Sequence, residues 1–142
     1  IFLPLLFHAL YGVYISLTSS VTVKRYRYFR NWCYVLQRIA GIVTLLFVIW
    51  HIYGTKLQVE LTGVDPSYAM VAGIVATPIG LALFAIGLLC STYHFCNGLW
   101  TFLITWGITV SPRSQKISGY VLFALFIAFA AFGLKALSAF AG

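Results

Sequence analysis

The stretch YVLQRIAGIVTLLFVIWHI, residues 34–52, decides the fold class of this chain. A helix needs about 20 mainly apolar residues to cross the roughly 30 Å hydrocarbon core of a bilayer, and this stretch meets that requirement. Comparable apolar runs cover residues 1–18, roughly 74–108, and 117–139. None shows the alternation of polar and apolar residues that a transmembrane barrel strand needs. The pattern therefore predicts four transmembrane helices.

The composition supports a membrane protein. Hydrophobic residues make up 62% and charged residues 8% of the 142 residues, whereas about a quarter of a soluble domain is charged. We expect an all-α integral membrane fold, a bundle of four transmembrane helices forming a single domain over residues 1–142. The net charge of +7 comes from residues that flank the spans, which favours contact with anionic membrane lipid and argues against nucleic-acid binding.

Basic side chains are concentrated in two links between the predicted spans. They are Lys24, Arg25, Arg27 and Arg30 in the first link, and Arg113 and Lys116 in the third. The second link instead combines Lys56 with the acidic residues Glu60 and Asp65. Because links rich in Lys and Arg stay in the cytoplasm, we expect the first and third links on the cytoplasmic side of a plasma membrane.

Three histidines lie within apolar runs, and each is followed within four residues by glycine: HALYG at His8, HIYG at His51 and HFCNG at His94. The ring nitrogens of a histidine inside a membrane must find a hydrogen-bonding or metal partner. A glycine one turn away removes a side chain from the same helix face, so a flat group such as a porphyrin could lie close to the backbone. The pattern indicates bound haem.

The three histidines are expected at different depths in the membrane. His51 lies just before Lys56 and belongs near the outer face, whereas His94 lies about 24 Å along a helix that starts at Pro78. His8 lies about 17 Å from the cytoplasmic end of its span, so His8 and His94 could share one haem. His51 would need another partner, and an interfacial histidine bonded to lipid or to a carbonyl is the alternative.

Other chemistry has little support in the sequence. Cys33, Cys90 and Cys96 include no C-x-x-C-H motif for covalent haem attachment. The chain has two carboxylates, no glycine-rich phosphate loop and no H-E-x-x-H motif. Hydrolytic chemistry is therefore excluded, and no catalytic residue is predicted.

Three stretches carry a specific resemblance: FLPLLFHALYGVYI, YFRNWCYVLQRIAGI and YHFCNGLWTFLITWGITVSPRSQ. They resemble the dihaem cytochrome b membrane subunit of succinate dehydrogenase, of the Bacillus type. That family has five transmembrane helices, and this chain corresponds to helices two to five. The start of the chain inside an apolar run, without Met, indicates that residues are missing at the N-terminus, and a processed signal peptide is the alternative. The resemblance implies that His8 and His94 ligate an inner haem b, and that His51 ligates an outer haem whose second ligand lies on the missing helix.

The resemblance also implies a function. Electrons would pass from the flavoprotein and iron–sulfur subunits, docked on the cytoplasmic face, through the haems to menaquinone. Arg38 and Trp32 are candidates for contact with haem propionates or lipid headgroups, with Asn97 and Thr105 as weaker ones. Arg38 could equally be an interfacial cation that reaches the headgroups. The rival readings are a b-type cytochrome of a hydrogenase or formate dehydrogenase, and a non-haem channel or transporter.

Overall fold

The computed structural model describes residues 2–64 and 67–140, and all regular secondary structure in these ranges is helical. The helices, in chain order, are α1 (Phe2–Thr18), α2 (Phe29–Ile52), a π-helical turn (Tyr53–Leu57), α3 (Gln58–Thr62), α4 (Tyr68–Val75), α5 (Pro78–Thr105) and α6 (Pro112–Ser138). The all-α fold class predicted from the apolar runs is therefore confirmed.

Within the described ranges, three helical stretches are long and apolar enough to cross a membrane: Phe29–Thr62, Pro78–Thr105 and Pro112–Ser138. The apolar helix α1 has 17 residues, which gives a length of about 25 Å against the roughly 30 Å of a hydrocarbon core. The structure thus confirms an all-helical membrane protein with three helical stretches that can span a bilayer, and the fourth span of the expected bundle stays a prediction.

The second span does not end where its apolar run ends. We predicted an end at Ile52, but the helix continues through the π-helical turn and α3 to Thr62. The polar residues that close the apolar run do not break a helix, whereas Gly63 does, because its left-handed conformation (φ 69°) suits glycine. The 34-residue stretch is about 50 Å long and extends beyond the hydrocarbon core.

The third apolar run is divided in two, which corrects the single span predicted over residues 74–108. Helix α4 ends at Val75 and α5 begins at Pro78. The proline ring disfavours a helical conformation at the residue before it, and Thr77 is extended (φ −88°, ψ 140°). The Thr77 hydroxyl accepts a hydrogen bond from the Gly80 N–H at 3.0 Å and caps α5. Pro78 therefore begins the span, as the depth estimate assumed.

Helix α6 begins at Pro112, before the predicted start at residue 117. Ser111 and Ser114 form a reciprocal capping box: the Ser111 hydroxyl accepts from the Ser114 N–H, and the Ser114 hydroxyl accepts from the Ser111 N–H. These capping bonds, rather than apolar residues, set the start of the helix.

Helix α5 lies between α2 and α6 and packs along both. Glycines allow these close crossings: a Cβ atom at Gly87 would lie 2.2 Å from the Phe47 ring of α2, and one at Gly133 of α6 would lie 2.5 Å from Leu88. Small residues at helix crossings are typical of membrane bundles, because lipid provides no hydrophobic driving force for association. Helix α1 lies beside α2 and has no buried residue.

The first and third links meet at one end of the bundle. Arg30 donates a hydrogen bond to the Gln115 side chain at 3.3 Å, and its guanidinium lies 5.6 Å from the centre of a Trp100 ring. Tyr68 at the start of α4 donates to the Ala139 carbonyl at the opposite end. The two basic links therefore lie at the same end of the bundle, as expected if both face the same side of the membrane. Asp65 of the second link lies outside the described residues.

Candidate cofactor site

A cavity of about 650 Å³ lies between α1 and α2, and one residue of α5, His94, completes its lining. Its volume is within the range of about 300–1,000 Å³ that is typical of small-molecule and cofactor sites. The lining is mainly apolar, and the side chains that bring polar groups to it include His8, Gln37, Arg38, Thr44 and His94. Helix α1 packs along only a short part of α2, and the cavity lies between the two helices.

His8 and His94 face each other in this cavity. Their ring centroids are 6.0 Å apart and their ring planes are inclined by 74°. An imidazole nitrogen binds a metal ion at about 2 Å, so two imidazoles on opposite sides of one metal place their ring centroids about 6 Å apart. The observed separation fits two axial ligands of a single iron.

The backbone of α2 holds the ring of His94. Nδ1 of His94 lies 3.2 Å from the Gln37 carbonyl oxygen, and in the neutral tautomer that carries its proton on Nδ1, the ring donates to this oxygen. The Nε2 lone pair is then free for a metal. A metal-binding histidine commonly has such a second hydrogen bond, which fixes its tautomer and orientation.

The three glycines that follow the histidines have different surroundings. A Cβ atom at Gly12 would meet nothing within 4 Å, and Gly12 lines the cavity, as expected for a glycine beside a flat cofactor. In contrast, Gly98 faces Gln37 of α2 and Gly54 faces Ile74. The open space at Gly12 is consistent with a porphyrin against the glycine backbone, whereas the neighbours of Gly54 and Gly98 are side chains of the protein.

Gly41 lies where α2 crosses α5. A Cβ atom there would lie 2.8 Å from Cε1 of His94, so the glycine has the helix-packing role that is typical of glycines along membrane spans. Gly41 also lines the cavity. No local pattern links a glycine in one helix to a histidine in another, so the signal is visible only in three dimensions.

Arg38 lines the cavity, whereas Trp32 does not. Both terminal nitrogens of Arg38 lie 3.2 Å from the Ser19 carbonyl, and its guanidinium lies 5.4 Å from the centre of the Tyr34 ring. Tyr34 also donates to the Ser19 hydroxyl at 2.8 Å. These bonds fix the end of α1 to α2 and keep a cation at that end of the cavity, while Trp32 is 52% exposed.

The two weaker candidates are not among the residues that line the cavity. The Asn97 side chain is 7% exposed and donates to the Gln37 side chain at 2.8 Å. Thr105 is exposed, and its hydroxyl donates to the Thr101 carbonyl within α5. Asn97 thus contacts the cavity through Gln37, whereas Thr105 is separate from it.

His51 lies apart from the other two histidines, at the end of α2. Its ring packs between Phe47 at 5.7 Å and Phe84 at 5.5 Å between centroids. Nδ1 of His51 is buried and has no hydrogen-bond partner within the described part of the chain. Gly41, at the level of His94, precedes His51 by about ten residues, which corresponds to about 15 Å along α2.

Fold and site together define a helical membrane protein with a large apolar cavity between helices, faced by two histidines, and a third histidine at another depth. The family model described as succinate dehydrogenase/fumarate reductase transmembrane subunit matches residues 20–133. The chain belongs to this family, and it is a membrane-anchor subunit of the succinate dehydrogenase type. This identity agrees with the sequence resemblance and disfavours the hydrogenase and formate dehydrogenase alternatives.

The chain is also similar to the succinate dehydrogenase cytochrome b558 subunit of Bacillus subtilis strain 168. The two are 49% identical over 140 residues, which cover 99% of this chain and 69% of the relative. No solved structure matches the chain.

Proposed function

We propose that this chain holds haem b between His8 and His94 and passes electrons from the iron–sulfur subunit of succinate dehydrogenase to menaquinone. The observation that carries the proposal is the 6.0 Å separation of the two imidazole rings across the cavity. The name of the Bacillus subtilis relative, a cytochrome b558 subunit, supports the choice of cofactor.

The chemistry of the ligands fits electron transfer. Bound haem would supply a one-electron carrier, and His8 and His94 would hold its iron, which would favour electron transfer over oxygen binding. The mainly apolar lining of the cavity suits the flat, apolar face of a porphyrin. Arg38 provides a cation at the end of the cavity that can pair with a carboxylate such as a haem propionate, since charge-assisted hydrogen bonds from guanidinium are strong. Trp32 is exposed and lies outside the cavity lining, so no contact in the structure supports such a role for it.

A second haem is proposed at His51. Nδ1 of His51 is buried and has no partner among residues 2–64 and 67–140, which supports a ligand role, because an unsatisfied polar atom in a membrane interior is costly. Its second ligand would come from the family's first helix. Two haems at different depths would make electron transfer across the bilayer sensitive to the membrane potential.

The end of the bundle that carries the first and third links is proposed to face the bacterial cytoplasm, where it would dock the flavoprotein and iron–sulfur subunits. The contact between Arg30 and Gln115 supports a shared face for the two basic links, and the positive-inside rule supports its orientation.

The function can be tested in the complex assembled with both soluble subunits. Addition of succinate is expected to reduce the haem, which is followed in the reduced-minus-oxidised visible spectrum. His94→Ala is expected to remove the inner haem's share of that signal. Oxidation of succinate by an artificial dye should continue in both proteins, since the flavoprotein carries that reaction. A wild-type complex that reduces the dye but has no succinate-reducible haem would overturn the proposal.

A further inference from the structure

Gln37 joins α2 to α5 at the level of His94. Its side-chain Nε2 donates to the His94 carbonyl at 2.9 Å, and its Oε1 accepts from the Asn97 amide at 2.8 Å. The main-chain carbonyl of the same residue lies 3.2 Å from Nδ1 of His94. Three hydrogen bonds between the two helices therefore converge on one residue.

Two glycines make room for this arrangement. A Cβ atom at Gly41 would lie 3.0 Å from Nδ1 of His94, and one at Gly98 would lie 3.0 Å from Nε2 of Gln37. Gly41 follows Gln37 by four residues, so its N–H is the helical donor to the Gln37 carbonyl. A carbonyl has two lone pairs, and the missing side chain at Gly41 opens the second one to the imidazole.

The buried Asn97 side chain needs a hydrogen-bond partner, and Gln37 provides it. Asn97 is 7% exposed, and burying an amide without a partner in an apolar interior is costly. The His94 carbonyl can only accept, so Nε2 of Gln37 faces it, and the bond from Asn97 to Oε1 holds the Gln37 amide in that orientation. The order of donors and acceptors from Asn97 through Gln37 to His94 is thereby fixed.

We propose that Gln37 and Asn97 are positioning residues for His94. They hold α2 and α5 at the separation at which Nδ1 of His94 reaches the Gln37 carbonyl, and so set the orientation and basicity of the imidazole that faces the cavity. The proposal rests on the function proposed above, because it concerns the tuning of a haem ligand.

The direction of the effect follows from the hydrogen bond at Nδ1. Donation from Nδ1 to a carbonyl makes the imidazole a better electron donor to a metal on Nε2, which favours the oxidised iron. Loss of the Gln37 side-chain bonds lets the helices separate and weakens the Nδ1 bond. The midpoint potential of the inner haem should then rise, and haem affinity should fall about tenfold, as is typical when a residue that supports a metal ligand is lost.

The experiment uses the full chain in the assembled complex, with Gln37→Met, Asn97→Leu and the double variant. Both substitutions keep the approximate size of the side chain and remove its hydrogen bonds. Gln58→Met is the matched control, since Gln58 is an exposed residue of α3. The readouts are haem per chain, the midpoint potential by redox titration, and the g-values of the oxidised haem by electron paramagnetic resonance.

We expect Gln37→Met to raise the potential and to shift the g-values, and Asn97→Leu to do the same to a smaller extent. Because Asn97 acts through Gln37, the double variant should shift no further than Gln37→Met. If haem-loaded Gln37→Met has an unchanged midpoint potential and unchanged g-values, the positioning role is wrong, while the proposed function stands. If Gln37→Met does not accumulate, the same result in Asn97→Leu overturns the positioning role. A wild-type complex without haem would instead overturn the proposed function.

Discussion

A Cβ atom on Gly41 would lie 2.8 Å from Cε1 of His94. Real Cβ atoms essentially never come this close to another heavy atom, so any side chain at position 41 must displace the His94 ring or spread α2 from α5. The glycine therefore belongs to the binding site as much as to the helix crossing, and it couples the packing of the bundle to the orientation of the imidazole.

Gly41→Ala should accordingly lower the haem content of the purified complex. The added methyl group moves the His94 ring away from the position that faces His8, so the two imidazoles no longer suit one iron. Haem per chain, measured as the pyridine haemochrome, checks the prediction. Gly73→Ala in α4 is the control, because nothing lies within 4 Å of a Cβ atom there. Equal haem content in both variants would contradict it.

Gly12→Phe should block the cavity without disturbing the helices. A Cβ atom at Gly12 meets no protein atom within 4 Å, and the residue lines the cavity, so a large side chain would fill space that the cofactor needs. We expect loss of haem together with normal insertion of the chain into membranes. Gly73→Phe controls for the added bulk, and full haem content in Gly12→Phe would count against the assigned site.

Gly87→Ala should destabilise the crossing of α2 and α5. A Cβ atom at this position would lie 2.2 Å from the Phe47 ring, and overpacking of this kind typically costs about 1–3 kcal/mol. A lower unfolding temperature of the purified chain in detergent is the expected result. Gly73→Ala is the control and should not lower the unfolding temperature. If Gly87→Ala does not lower it either, the crossing of α2 and α5 is looser than described.

Charge reversal at Arg25 and Arg27 should weaken assembly with the soluble subunits. Both side chains are exposed at the basic end of the bundle, where we place the docking face. The expected result is less flavoprotein and iron–sulfur subunit recovered with the tagged chain, with a stronger effect at low salt because exposed charges are screened by ions. Lys135→Glu, in the last turn of α6, is the control, and equal recovery from both variants would refute the docking face.

Much of the fold could be predicted because its signals are local. Apolar runs of sufficient length predicted the helices, and Pro78 marked the start of α5, since a proline fixes the residue before it. The end of α2 could not be found in this way. The apolar run stops at Ile52, but a helix in water is ended by a breaker such as Gly63, not by polarity.

The candidate site was predictable only in part. Depth estimates from loop charges suggested that His8 and His94 could meet, and the structure places these two ring centroids 6.0 Å apart. The support for His94 from Gln37 and Gly41 was missed, because these contacts join residues in different helices and depend on the rotation of each helix about its axis. The interpretation of Trp32 relied on resemblance alone, and the structure places it outside the cavity lining.

The measurement that tests the central claim most directly is the reduced-minus-oxidised visible spectrum of the purified complex, with haem per chain, for the wild type and for His8→Ala, His94→Ala and His51→Ala. We predict a low-spin b-type signal from the pair of His8 and His94 that is lost in either of the first two variants. The same signal should persist in His51→Ala, because His51 lies about 15 Å away along α2. A wild-type spectrum without haem, or an unchanged spectrum in His94→Ala, would contradict the account.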